Sequence, residues 1–133
     1  PECQPLMVAL KSDILDALVA SAEGTLDKIK LKWHSEATLV VVMAAEGYPG
    51  HYQNGTEIKG VSEVNNIDDV FVFHAGTKSE NGKLLATSGR VLGVTTKAKT
   101  VAAAQALAYK AVAKIDWPEG FNRTDIGWRA INR

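Results

Sequence analysis

Cysteine is nearly missing from this 133-residue chain. Cys3 stands alone, so no internal disulfide can form, and such sparing use of thiols points to a reducing compartment. Net charge is missing too. Fifteen Lys and Arg balance fifteen Asp and Glu, which argues against a strongly basic nucleic-acid surface or a polybasic membrane patch but leaves room for a local anion site. The longest apolar run, Leu39–Ala45, is strand-sized and far short of the ~20 residues that span a bilayer. His34, His51 and His74 are scattered without metal-ligand spacing. No Walker loop, zinc spacing or Gly-x-Ser-x-Gly elbow occurs. No catalytic residue and no metal ligand is therefore expected in this chain.

The composition is that of a globular chain, and its length suffices to bury a core without staples. The opening Pro1-Glu2-Cys3-Gln4-Pro5, without an initiator Met, reads as an internal start. Residues 5–31 read as helix, with Ile14, Leu15, Leu18, Val19, Ala22 and Leu26 on one apolar face. Ser12-Asp13 could instead cap a second helix and leave 5–10 as a separate short turn. The β-rich run 38–45 predicts a strand covered on both faces, stopped by the fixed turn Gly47-Tyr48-Pro49-Gly50. A short strand is expected around Glu57-Ile58 and another over 70–74. Asn81-Gly82 is the preferred type I′ hairpin pair, because both positions need positive φ; the hairpin is read as 71–77 against 83–87. A third strand follows over 90–96. Thr100 caps a helix to Ile115, whose buried stripe is Val101, Ala104, Leu107, Ala108, Ala111, Val112 and Ile115. In the tail, Ile126, Trp128 and Ile131 are able to anchor the chain. Helix, strands and helix without βαβ alternation predict an α+β fold with a mainly antiparallel sheet.

Two glycine-bearing segments flank the hairpin: Phe73-His74-Ala75-Gly76-Thr77 and Thr87-Ser88-Gly89-Arg90. Gly76 and Gly89 would let backbone N–H groups approach a ligand, Thr77 and Ser88 supply hydroxyls, and Arg90 supplies a planar fork suited to phosphate. Together they could form a phosphomonoester site. Read on these residues alone, Gly89 fits a bulge or sheet bend as well, Arg90 a solvated strand-edge charge, and His74 a satisfied core residue.

Taken in order, the segments say more. Pro1-Glu2-x-Gln4-Pro5, Leu10-Lys11-Ser12-Asp13, the run 41–45, Gly47-Tyr48-Pro49-Gly50, residues 73–77, Gly89-Arg90-Val91-Leu92 and Asp125-Ile126-Gly127-Trp128-Arg129-Ala130-Ile131 span the whole chain. In this order they resemble the C-terminal part of the phosphoribosylamine–glycine ligase family. The sequence departs from the family at His51, where an acidic residue is usual, and at Ser88, where a glycine is common. The resemblance implies a cytoplasmic ATP-grasp ligase of purine biosynthesis that joins glycine to 5-phosphoribosylamine to give glycinamide ribonucleotide. ATP and Mg2+ (or Mn2+) would be bound by domains outside this chain. The chain alone would then be inactive, and its partners would be the N-terminal and ATP-grasp domains of the same polypeptide. Residues 1–36 would close the ATP-grasp core. Residues 37–133 would form the small C-terminal domain, a reduced relative of the biotinyl-carrier type with one packed helix. By the same resemblance Arg90, with Gly89 and Ser88, would contact the phosphoribosyl substrate, and Lys83, Thr77, His74 and Glu2 would lie near it.

Three rivals make different demands. A carrier domain would need a modifiable lysine between methionines at a hairpin tip, and Lys83 is flanked by Gly82 and Leu84. A stand-alone phosphate-binding module would have to begin near Pro1. A pure brace would stabilise a ligase without touching its substrate.

Overall fold

The run Ala37–Ala45 (β1) alternates between two environments, as a strand must. Leu39, Val41, Met43 and Ala45 are buried on one face, while Thr38, Val40 and Val42 are half-buried on the other. β1 lies inside a four-stranded antiparallel sheet in the computed structural model, which describes residues 1–132. Arg90–Ala98 (β6) pairs along most of its length and is flanked in turn by Val70–His74 (β3); Gly120–Asn122 (β7) pairs the far edge. Glu57–Ile58 (β2), Lys83–Ala86 (β5) and Thr77–Glu80 (β4) make a second, three-stranded antiparallel sheet. The short helix Val61–Asn65 (α3) leads into β3. The α+β class and antiparallel pairing agree with the sequence reading.

One helix, Val101–Val112 (α4), closes the core against β1 and β6. Ala104, Ala108 and Ala111 are fully buried, and their small side chains let the helix settle onto the sheet. Thr100 caps it, accepting from the Ala103 N–H at 3.1 Å. The helix stops at Val112 rather than Ile115; Lys114 and Ile115 continue in a turn that bonds back to Ala111 and Val112, and Ile115 stays buried. Thr96 carries a hydroxyl into this core and donates it to the Ala104 carbonyl at 2.7 Å. Trp117, buried beyond the helix, donates its indole N–H to Thr56 Oγ1 at 2.9 Å and ties the second sheet to the body.

The N-terminal helix is not continuous. Cys3–Ala9 (α1) crosses the opposite face of β1 and β6, and a second helix, Ile14–Ala22 (α2), starts after a break. The break is the cap: Asp13 is extended and accepts from the Leu15 N–H at 2.8 Å, the alternative the Ser12-Asp13 pair had left open. A 3-10 turn at Leu26–Lys28 follows. The whole excursion is pinned at its neck. Leu10 bridges Trp33, Lys11 and Ser12 donate to the Lys32 carbonyl, and His34 donates to Ala9. Beyond the neck the predicted apolar face of α2 points to solvent. Leu15 and Leu18 are more than half exposed, and Ala17 and Ala20 are the buried ones.

Two further expectations change. Residues 71–74 pair with β6, not with 83–86. The hairpin is the shorter β4–β5, closed by Asn81 (φ 50°) and Gly82 (φ 75°), the left-handed pair a type I′ turn requires. The tail's anchor is Ile126, whose N–H and carbonyl bond to Tyr109 and Gln105. Trp128, on the one-turn helix Trp128–Ile131 (α5), lies half in solvent under the Arg129 guanidinium. No helix among the described residues is long and apolar enough to cross a membrane.

Candidate functional site

A cleft of about 380 Å³ opens where α1 passes over the start of β6. Gln4, Tyr48, Ser88, Gly89, Arg90 and Gly93 line it. Ser88, Gly89 and Arg90 are contiguous, so the strand entry itself delivers them together. The Ser88 hydroxyl donates to the Arg90 carbonyl at 2.8 Å and locks this corner. The guanidinium of Arg90 is exposed and has no carboxylate within ion-pair distance among the described residues. An unpaired, permanently charged fork beside a cleft is a ready anion receptor.

Neither Gly76 nor Gly89 has positive φ. A Cβ at Gly76 would run into the Ser88 side chain, and one at Gly89 would run into the Tyr48 ring. Their lack of a side chain lets these neighbours in the protein close up. Tyr48 arrives through the turn that ends β1. Gly47 takes φ 93°, the Tyr48–Pro49 peptide is cis, and Ala45 and Glu46 are tied to the Gly89 and Glu119 carbonyls at 2.8 Å each. The ring thereby forms one wall of the cleft.

The remaining predicted residues divide. Glu2 sits at the rim of an adjoining apolar groove with Leu6 and Val40. His74 and Thr77 bond to each other, Nδ1 to Oγ1 at 2.8 Å, on either side of Ala75, which does line the cleft. Lys83 lies at the far end of the hairpin, paired with Glu57 at 3.1 Å, and does not line the cleft.

Sequence reasoning passed over Gln4 and Tyr48 as site residues. Both lie in stretches it had singled out, Pro1–Pro5 and Gly47–Gly50, and only the tertiary fold carries them to Arg90. No group of three or more His, Cys, Asp or Glu among the described residues is placed to hold a metal ion.

Residues 38–129 match the family model described as phosphoribosylglycinamide synthetase, C domain. Along its whole length the chain is 52% identical to the phosphoribosylamine–glycine ligase of Brucella melitensis and 46% identical to that of Salmonella typhimurium, covering 31% of each. It is 48% identical to the chloroplastic enzyme of Arabidopsis thaliana, covering 25% of it. The crystal structure of the Thermotoga maritima phosphoribosylamine–glycine ligase superposes with a TM-score of 0.64 at 26% identity, over 82% of this chain and 27% of that one. The chain thus spans about a third or less of the length of the curated relatives it matches.

Proposed function

The chain belongs to the phosphoribosylamine–glycine ligase family, and from that premise we propose that it is the C-terminal part of an enzyme that joins glycine to 5-phosphoribosylamine. In this reading the cleft beneath α1 receives the phosphoribosylamine. Arg90 neutralises the phosphate, a contact suited to a guanidinium fork. Ser88 and Gly89 shape the corner, and Tyr48 walls it. His74, Thr77 and Glu2 border the approach, and Lys83 contributes to the field from farther away. The observation that carries the reading is the Arg90 guanidinium, exposed at a cleft and without an ion-pair partner among the described residues.

ATP and Mg2+ or Mn2+ are assigned to the ATP-grasp part of the same polypeptide, as membership of the family implies. Activation of the glycine carboxylate belongs there as well, so these 133 residues turn nothing over alone. Residues 1–36 then form the end of the ATP-grasp core, and 37–133 form the C-terminal domain of reduced biotinyl-carrier type. The exposed apolar face of α2 supports that division, since it calls for a covering surface that this chain does not provide. The enzyme is placed in the cytoplasm, in purine biosynthesis.

Arg90→Ala in the full-length polypeptide tests this. Losing one charged contact to phosphate costs about 2–5 kcal/mol. The KM for phosphoribosylamine should therefore rise by about 30-fold or more, while the KM values for glycine and ATP stay put. A domain that only braces the ligase would show the reverse: unchanged KM values and a lowered Tm.

A further inference from the structure

Two buried polar atoms among the described residues have no hydrogen-bond partner, the Gln4 side-chain oxygen and the Thr95 hydroxyl. They differ in setting. Thr95 is wholly enclosed in β6 and does not line the cleft. Gln4 is half-buried on α1 and lines the same cleft as Arg90. Its carboxamide lies over Gly93, with the nitrogen within van der Waals reach of where a Cβ would stand. A dry, unpaired amide oxygen costs about 1–3 kcal/mol. It regains that when a donor arrives, and the last torsion of a glutamine is soft enough to turn its oxygen toward one.

The geometry points to Gln4 as a specificity-determining residue, its carboxamide oxygen accepting from an O–H or N–H on the sugar of a phosphosugar whose phosphate Arg90 holds. The inference rests on the cleft being the phosphoribosylamine pocket and goes beyond it, because it divides the recognition in two. Arg90 offers only donors and reads an anion. The Gln4 oxygen offers only an acceptor, which a phosphomonoester dianion cannot use but a sugar hydroxyl or amine can. A ligand that satisfies both carries an anion at one end and a donor at the other. Inorganic phosphate has no sugar to carry the second donor, and its own O–H sits on the group that Arg90 holds.

Binding of ribose 5-phosphate and of inorganic phosphate to the full-length polypeptide separates the two roles. Gln4→Met keeps the length of the side chain and removes its polar atoms. It should weaken ribose 5-phosphate about tenfold, as expected for one lost hydrogen bond of about 1.4 kcal/mol. It should leave inorganic phosphate within about twofold and should not lower the Tm, since the oxygen it removes has no protein partner. Unchanged ribose 5-phosphate binding would overturn the inference. So would equal weakening of both ligands, a fall in Tm, or failure of the variant to fold, each of which marks Gln4 as structural. Arg90→Ala, measured alongside, should weaken both ligands. If it weakens neither, the pocket reading fails, whatever Gln4 does.

Discussion

Leu18 on α2 and Leu92 on β6 both sit in patterns that demand burial, yet Leu18 is 59% exposed and Leu92 is 0% exposed. The contrast extends to their regions. Among the described residues, nine of the thirteen exposed large hydrophobics, from Leu6 to Trp33, lie in residues 1–36, where Ala17 and Ala20 are the only buried hydrophobics. The sheet body instead closes α4 over β1 and β6 around a continuous core. An amphipathic stripe states that a face needs cover; it does not state what covers it. In the body the cover is a later segment of the same chain, and the α2 knuckle, held out by its neck at Leu10 and Trp33, has none here.

The sharpest way to break this comparison is to truncate one leucine in each region. Leu92→Ala should lower the unfolding free energy by about 2–5 kcal/mol, the usual cost of emptying a packed core position. Leu18→Ala should cost the isolated chain no more than about 0.5 kcal/mol, as for a surface site. In the full-length polypeptide the cost of Leu18→Ala should climb to about 2 kcal/mol or more. Urea denaturation of the four proteins reads this directly. A Leu18 cost that stays small in the full-length protein would mean that the rest of the polypeptide leaves α2 uncovered.

A finer version compares the two threonines side by side in β6, which face opposite sides of the sheet. Thr96 faces α4 and donates to Ala104; Thr95 faces the α1 side and its hydroxyl finds nothing. Thr96→Val removes a buried hydrogen bond and should cost about 1 kcal/mol. Thr95→Val removes an unsatisfied hydroxyl and should be neutral or stabilising by up to about 1 kcal/mol. Equal costs at the two positions would show that the α1 side is sealed and satisfied as fully as the α4 side.

What could be read in advance follows the range of the interaction that decides it. Asn81-Gly82, the Thr100 cap and the Asp13 cap are settled within three or four residues, and the structure agrees with each. The alanine stripe of α4 and the alternation of β1 depend only on periodicity. The partner of β3 does not: 70–74 could pair with either 83–86 or 90–98 on composition, and the longer, largely buried β6 won. At the site, Ser88, Gly89 and Arg90 were legible because they are adjacent. Gln4 and Tyr48 reach the same cleft from α1 and from the turn after β1, through contacts that no local pattern encodes. The Tyr48 ring that packs against Gly89 lies far away in sequence, so that contact was not legible.

The smallest expected effect lies at the surface, where a carboxylate in each region is held below its usual range for a different reason. Asp125, in the body's tail, is lowered first by hydrogen bonds from Arg123, a two-pronged contact at 2.6 and 2.8 Å. Glu36, at the end of the arm, is lowered first by its own backbone N–H and then by the Ser35 hydroxyl. A depressed folded-state pKa contributes stability above the unfolded carboxylate range, and that stability is lost as pH falls through the folded-state value. Both groups therefore favour the folded chain near neutrality and cease to do so in acid, each weakly because each is exposed. Salt separates them. The Arg123 contribution is charge on charge in open solvent and is screened at 1 M salt, where the Debye length is about 3 Å. The donors to Glu36 are neutral and are not. Carboxyl-carbon NMR titrations at low and high salt should move Asp125 toward its ordinary value and leave Glu36 in place. Equal movement of the two would assign Glu36 to the field of Lys97 across the neck, and would make the arm's surface as dependent on the body's charges as the tail is.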